Sequence, residues 1–162
     1  DAIAGEIPRT ADKVHFVTHS MGGILLRQYL SNHSVENLGS IVMLAPPNQG
    51  SELVDYFKRN RLGRWILGPA GSQLGTAATD LPKQLGAVNF DARVIAGSRS
   101  LNPWFSRILP GADDGKVSVE STKVDGMKEF LVVPNSHTWL MWRTKTIHKI
   151  TSFLQNSSFA SQ

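Results

Sequence analysis

Apolar residues in this chain come in short blocks, and their spacing changes from block to block. Residues 13–18 (KVHFVT) form a short β-rich run. Residues 20–30 follow with Ile24, Leu25, Gln28 and Tyr29 near one face, the spacing of a helix. Leu38–Leu44 (LGSIVML) is almost continuously apolar and ends at Ala45-Pro46-Pro47. Continuous apolarity is what a strand covered on both faces needs, whereas a half-exposed strand alternates. Ser51 is placed to cap a short helix, with Glu52 near its positive end and Leu53, Val54 and Phe57 directed inward.

Between residues 61 and 86 the pattern breaks up. Gly63, Gly68, Gly71, Gly75 and Gly86 punctuate it, while Trp65, Ile66, Leu67, Leu74 and Leu81 supply scattered apolar anchors. This predicts an excursion of short helical turns within a single domain over 1–162. Such an excursion serves either as a lid over a pocket or as surface padding. Residues 92–96 (ARVIA) predict a third strand and Glu129–Val133 (EFLVV) a fourth. A loop with Pro103, Pro110, Gly111, Gly115 and two adjacent aspartates separates them. After residues 134–137 a final amphipathic helix is expected, with Leu140, Ile147, Ile150 and Leu154 on one stripe and Lys145 and Lys149 elsewhere. The alternation of strands and helices predicts an α/β fold, a mostly parallel sheet with helices on its faces. In such sheets ligands bind beyond the carboxyl ends of the strands.

Composition narrows the class. The chain has 162 residues, 41% of them hydrophobic, which is enough to bury a core and excludes a disordered segment. Without cysteine there is no disulfide, no thiol nucleophile and no thiolate metal site. The net charge of +4 includes a cluster at Lys58, Arg59, Arg61 and Arg64, read as a solvated face. No aromatic-rich RNA-binding signature, zinc-finger spacing or basic stripe is present, so nucleic acid is not an expected partner. No stretch of 18 apolar residues could span a membrane. Residues 1–9 lack the basic start and apolar run of a signal peptide, which favours the cytoplasm.

The chemistry concentrates at the ends of the expected strands. Thr18-His19-Ser20-Met21-Gly22-Gly23 lies between a strand and a helix, the small-x-Ser-x-Gly pattern of a nucleophile elbow. The elbow needs a sharp turn that strains the backbone of Ser20 and lifts its hydroxyl above the sheet. Gly22 meets the need for a small residue after the serine. Thr18, which is β-branched, stands where a glycine is usual. The first backbone amides of the following helix have no intrahelical partner, so the Met21 amide is a candidate oxyanion donor. A serine hydroxyl is inert at neutral pH without a base. His137 follows the fourth strand and is chosen as that base. An acid must orient the base, and Asp114, after the third strand, is chosen for it.

The runs VTHSMGG, APPNQGSEL, DDGKVSVEST and NSHTWLM together resemble the lipases and esterases of the α/β-hydrolase superfamily, most of all small bacterial lipase-like hydrolases. Four segments in the expected order, over nearly the whole chain, carry this resemblance. It implies Ser20 as nucleophile, His137 as base, Met21 as oxyanion donor and the aspartate directly before glycine, Asp114, as acid, with Asp113 the runner-up. It also implies an ester substrate, small-molecule or lipid, and no cofactor.

The sequence departs from the family in one large respect. Members carry several strands before the elbow and a loop after one of them that gives a second oxyanion donor, but only 19 residues precede Ser20 here. The chain therefore resembles the C-terminal half to two-thirds of the fold, as a truncated or naturally minimal form. Residues 14–18 would then be an exposed apolar edge, and a homo-oligomer is expected. An acyltransferase using the same three residues, and a non-catalytic remnant of the fold, are the rival readings.

Other residues divide between bland and functional roles. Ser20 alone would suit a helix N-cap. His19 is expected to point away from the nucleophile, and His15, His33 and His148 are read as ordinary polar positions. No histidine pairing suits a metal, so no catalytic metal is expected. Trp104 and Phe105, with Ile108 and Leu109, either line a substrate pocket, face a lipid interface or belong to the core. Trp139 and Met141 beside His137 either pack in the core, the preferred reading, or bound the site.

Overall fold

Four of the apolar runs become strands of one parallel sheet: β1 (Val14–His19), β2 (Leu38–Leu44), β3 (Ala92–Gly97) and β4 (Glu129–Val133), in spatial order β1-β2-β3-β4. The computed structural model describes residues 12–156, so the reading of residues 1–9 lies outside them. Among the described residues six helices connect and follow the strands: α1 (Met21–Asn32), α2 (Glu52–Lys58), α3 (Arg61–Gly71), α4 (Leu81–Gln84), α5 (Pro103–Ser106) and α6 (Thr144–Asn156). A short 3-10 turn, Glu120–Thr122, precedes β4.

The register explains why the central strands read as continuously apolar. Ile41 and Met43 of β2 face one side and pack with Leu26 of α1, Val94 of β3 and Val124. Val42 and Leu44 face the other side and pack with Ile95, Val133, Leu140 and Phe153 of α6. Both faces of β2 and β3 are thus covered, and Ile41, Val42, Met43, Val94 and Ile95 are fully buried. Burial of each such side chain contributes roughly 1.5–3 kcal/mol. β1 pairs only with β2 among the described residues, and Val17, on the α6 side of the sheet, is 48% exposed.

Three local expectations need correction. The last helix begins at Thr144, so Leu140 lies in the turn before it, although its side chain is fully buried. Within α6 the buried positions are Thr146 and Phe153, and Ile147 is exposed. Ser51 precedes α2 but makes no capping hydrogen bond. Its hydroxyl instead donates to the Lys116 carbonyl at 2.9 Å and ties the post-β2 turn to the aspartate loop. The loop after β3 also holds a helical turn, α5, whose N-terminal amides at Trp104 and Phe105 donate to the Asn102 side chain. Asn followed by Pro at the first helical position is a start signal that the glycine and proline content of the loop obscured. Residues 61–86 contain α3 and α4, the short helical pieces expected there.

Candidate active site

The end of β1 delivers Ser20 to the carboxyl rim of the sheet. Its backbone has φ 55 and ψ −127, one of two positive-φ non-glycine residues among the described ones. Such a conformation costs on the order of 1–3 kcal/mol and persists only when its surroundings enforce it. Here the Ser20 amide donates to the Leu44 carbonyl at 2.8 Å, and its carbonyl accepts from the Gly23 amide at 3.1 Å. The tight packing of the elbow falls on Gly23 more than on Gly22. A Cβ on Gly23 would meet Pro46 Cβ at 3.1 Å and Met43 Sδ at 3.3 Å, whereas one on Gly22 would rest 3.7 Å from Thr18 Cβ. Thr18 is therefore accommodated beside the elbow, but its hydroxyl is buried without a hydrogen-bond partner.

Two loops bring the other groups to the same rim. Gly97 ends β3, and a Cβ there would stand 2.4 Å from the Asn135 carbonyl oxygen and 2.8 Å from Asp114 Cβ. The missing side chain is what lets the aspartate and histidine loops meet. The His137 amide donates to the Asp114 carbonyl at 2.9 Å, and His137 Nδ1 lies 2.7 Å from Asp114 Oδ2. The other carboxylate oxygen accepts from the Lys116 and Val117 amides, both at 2.9 Å. Asp114 is 2% and His137 3% exposed. A carboxylate only accepts, so the imidazole proton sits on Nδ1 and leaves Nε2 as an acceptor. Nε2 lies 2.9 Å from Ser20 Oγ. Hydroxyl, imidazole and carboxylate thus form one hydrogen-bonded line. Asp113 is occupied elsewhere, accepting from the Gly115 amide and from Ser106 Oγ.

Met21 is the first residue of α1, directly after Ser20. Phe105 lines a cavity of about 300 Å³ together with His137, Leu101, Lys116 and Trp139. Trp104 does not line it; the indole is 73% exposed, with the Arg107 guanidinium over its ring. Trp139 is half exposed and borders the cavity, the second of its two readings from sequence, while Met141 packs against the buried cluster below. Among the described residues no group of three His, Asp or Glu could hold a metal, and no helix is long and apolar enough to cross a membrane.

Two neighbours of the site had no clear sequence signal. His19 does not point away. Its ring centroid is 4.7 Å from that of His137, and its Nε2–H donates to the His137 carbonyl at 3.0 Å. Burial first, and then the proximity of His137, lower its pKa below the ordinary histidine value. Arg27 of α1 is buried and donates to Asn48 Oδ1 at 2.9 Å, holding the elbow helix to the turn after β2. Desolvation brings its pKa down to about 10, so it stays charged at neutral pH. An arginine on an otherwise apolar helical face was the available hint.

The architecture aligns with solved structures of known enzymes. Bacillus licheniformis lipase BlEst2 in mature form superposes with a TM-score of 0.64 at 17% identity, over 88% of this chain and 64% of that one. Its propeptide form gives 0.70 at 17% identity, over 93% and 37%. The fold is a partial α/β-hydrolase fold. The Pyrococcus furiosus esterase PF2001 (TM-score 0.55, 17% identity, 95% of this chain and 57% of that) has a similar architecture. So does the phospholipase PlaB from Legionella pneumophila (0.57, 24% identity, 75% and 32%). The chain therefore spans less than two-thirds of the length of these lipases and esterases. No family model and no curated protein matches the sequence.

Proposed function

We propose that the chain is a carboxylic ester hydrolase that works through Ser20, His137 and Asp114. The observation that carries this reading is the unbroken line from Ser20 Oγ through His137 to Asp114 Oδ2, with spacings of 2.9 and 2.7 Å, at a strained strand-to-helix turn. His137 Nε2 takes the hydroxyl proton as Ser20 Oγ attacks the acyl carbon. The buried Asp114 carboxylate holds the ring with Nε2 toward Ser20 and stabilises the imidazolium that forms. The Met21 amide, at the positive end of α1, donates to the developing oxyanion. His137 then protonates the leaving alcohol, an acyl-serine remains, and water activated by the same imidazole releases the acid. The apolar cavity wall of Leu101, Phe105 and Trp139 favours an acyl or alkyl chain over a small polar group.

The test is hydrolysis of short p-nitrophenyl esters together with mass mapping of a serine-directed phosphonate. Wild type should hydrolyse the esters and carry the adduct on Ser20. Ser20→Ala should lose both, and Asp114→Asn should lower kcat by about 10⁴-fold. Product transferred to added alcohols or amines in place of water would instead assign an acyltransferase. Folded protein with no adduct at Ser20 would leave only a non-catalytic role.

A further inference from the structure

The cavity beside His137 adjoins a second one, of about 200 Å³. Leu101, Ser136 and Trp139 line both, so the two cavities lie side by side. The second is lined by Arg99 and Arg143 and by no carboxylate. Both arginines are exposed, and among the described residues neither guanidinium has an ion pair or hydrogen bond. Lys116, at the first cavity, is likewise an exposed cation whose ammonium has no partner there. Among the described residues, the only carboxylate lining either cavity is Asp114, whose oxygens are taken by His137 and two backbone amides.

Adjoining cavities with His137 at one end, Leu101 and Trp139 between them and two unpaired guanidinia at the other select for a ligand of matching shape. We infer that the substrate is an ester whose chain ends in an anionic oxygen group, a phosphate or a carboxylate, bound by Arg99 and Arg143. Guanidinium presents a rigid fork of donors that suits either oxyanion. The chain between ester and anion lies over Leu101 and Trp139. Arg99 and Arg143 are specificity residues here and take no part in the bond-breaking steps. This inference rests on the ester-hydrolase reading for its catalytic end only.

The experiment compares pairs of ligands with and without the terminal anionic group. Monomethyl adipate against dimethyl adipate tests the carboxylate, and 1-hexanoylglycerol 3-phosphate against 1-hexanoylglycerol tests the phosphate. Binding is measured by calorimetry on the Ser20→Ala chain, and kcat/KM on wild type. At least one charged ligand should bind about tenfold more tightly than its neutral partner, the scale of a charge-assisted contact. That preference should fall to about one in Arg99→Gln/Arg143→Gln, weaken with added salt, and persist in Arg61→Gln. The pair that responds identifies phosphate or carboxylate. Equal binding within both pairs overturns the anion site, as does a preference that survives the double substitution. Arg-dependent binding of the charged ligand without turnover by wild type would sink the hydrolase reading and keep the anion site.

Discussion

His19 and Ser20 show how much a single position depends on its neighbours. Ser20 holds a backbone geometry that serine rarely adopts, and the bonds at its own amide and carbonyl maintain it. His19 sits one residue away and fixes the opposite loop through the His137 carbonyl. Its depressed pKa has a direct consequence for stability. The folded state favours the neutral ring, so the unfolded chain binds a proton more readily. The corresponding stability is complete above the ordinary value near 6.5 and is lost as pH falls below it. Urea midpoints should therefore drop between pH 7 and pH 5 more steeply in wild type than in His19→Gln, which keeps a donor but does not titrate. Parallel pH profiles for the two proteins would remove this role from His19.

At the scale of elements, the site depends on how closely three connections approach one another. Gly97 is the junction where β3 gives way to the aspartate loop and passes beneath Asn135. Gly97→Ala should push the Asp114 and His137 loops apart. Activity toward p-nitrophenyl esters should then fall by about 10²-fold, as expected when reacting groups are displaced by an ångström. Retained activity in a folded variant would show that the loops can yield. The elbow helix has its own tether. Arg27→Met removes donors to Asn48 and Gly86 and leaves the buried Asn48 side-chain oxygen unpaired in the interior. The expected loss is about 1.5–3 kcal/mol, read as a lower urea midpoint.

For the whole molecule, the open question of surface lies at β1. This strand has one neighbour among the described residues and exposes Val17 on a face that α6 covers only farther along the sheet. An apolar strand edge of this kind pairs readily with another chain. We propose that the 162-residue chain self-associates through it. Sedimentation equilibrium should give a mass of at least twice that of one chain, and Val17→Lys should shift it toward the monomer. A monomer at every concentration tested would refute the association.

The local elements, the order of the three chemical groups and the parallel α/β class were all legible in the chain's short-range pattern. The signals are continuous apolarity where a strand is covered twice, a helix start directly after Ser20, and groups placed just after strand ends. The sequence separated Asp114 from Asp113 only through the resemblance of the DDG run, whereas the folded loop separates them physically by giving each carboxylate different partners. Tertiary structure alone decided the orientation of His19, the burial of Arg27, the exposure of Trp104 and Trp139, and the need for Gly97. It alone joined Arg99 and Arg143, 44 positions apart, around one cavity. The reason is range. Periodicity records which face of an element is covered, but a contact between loops depends on strand register and on the absence of a few atoms at one crossing point.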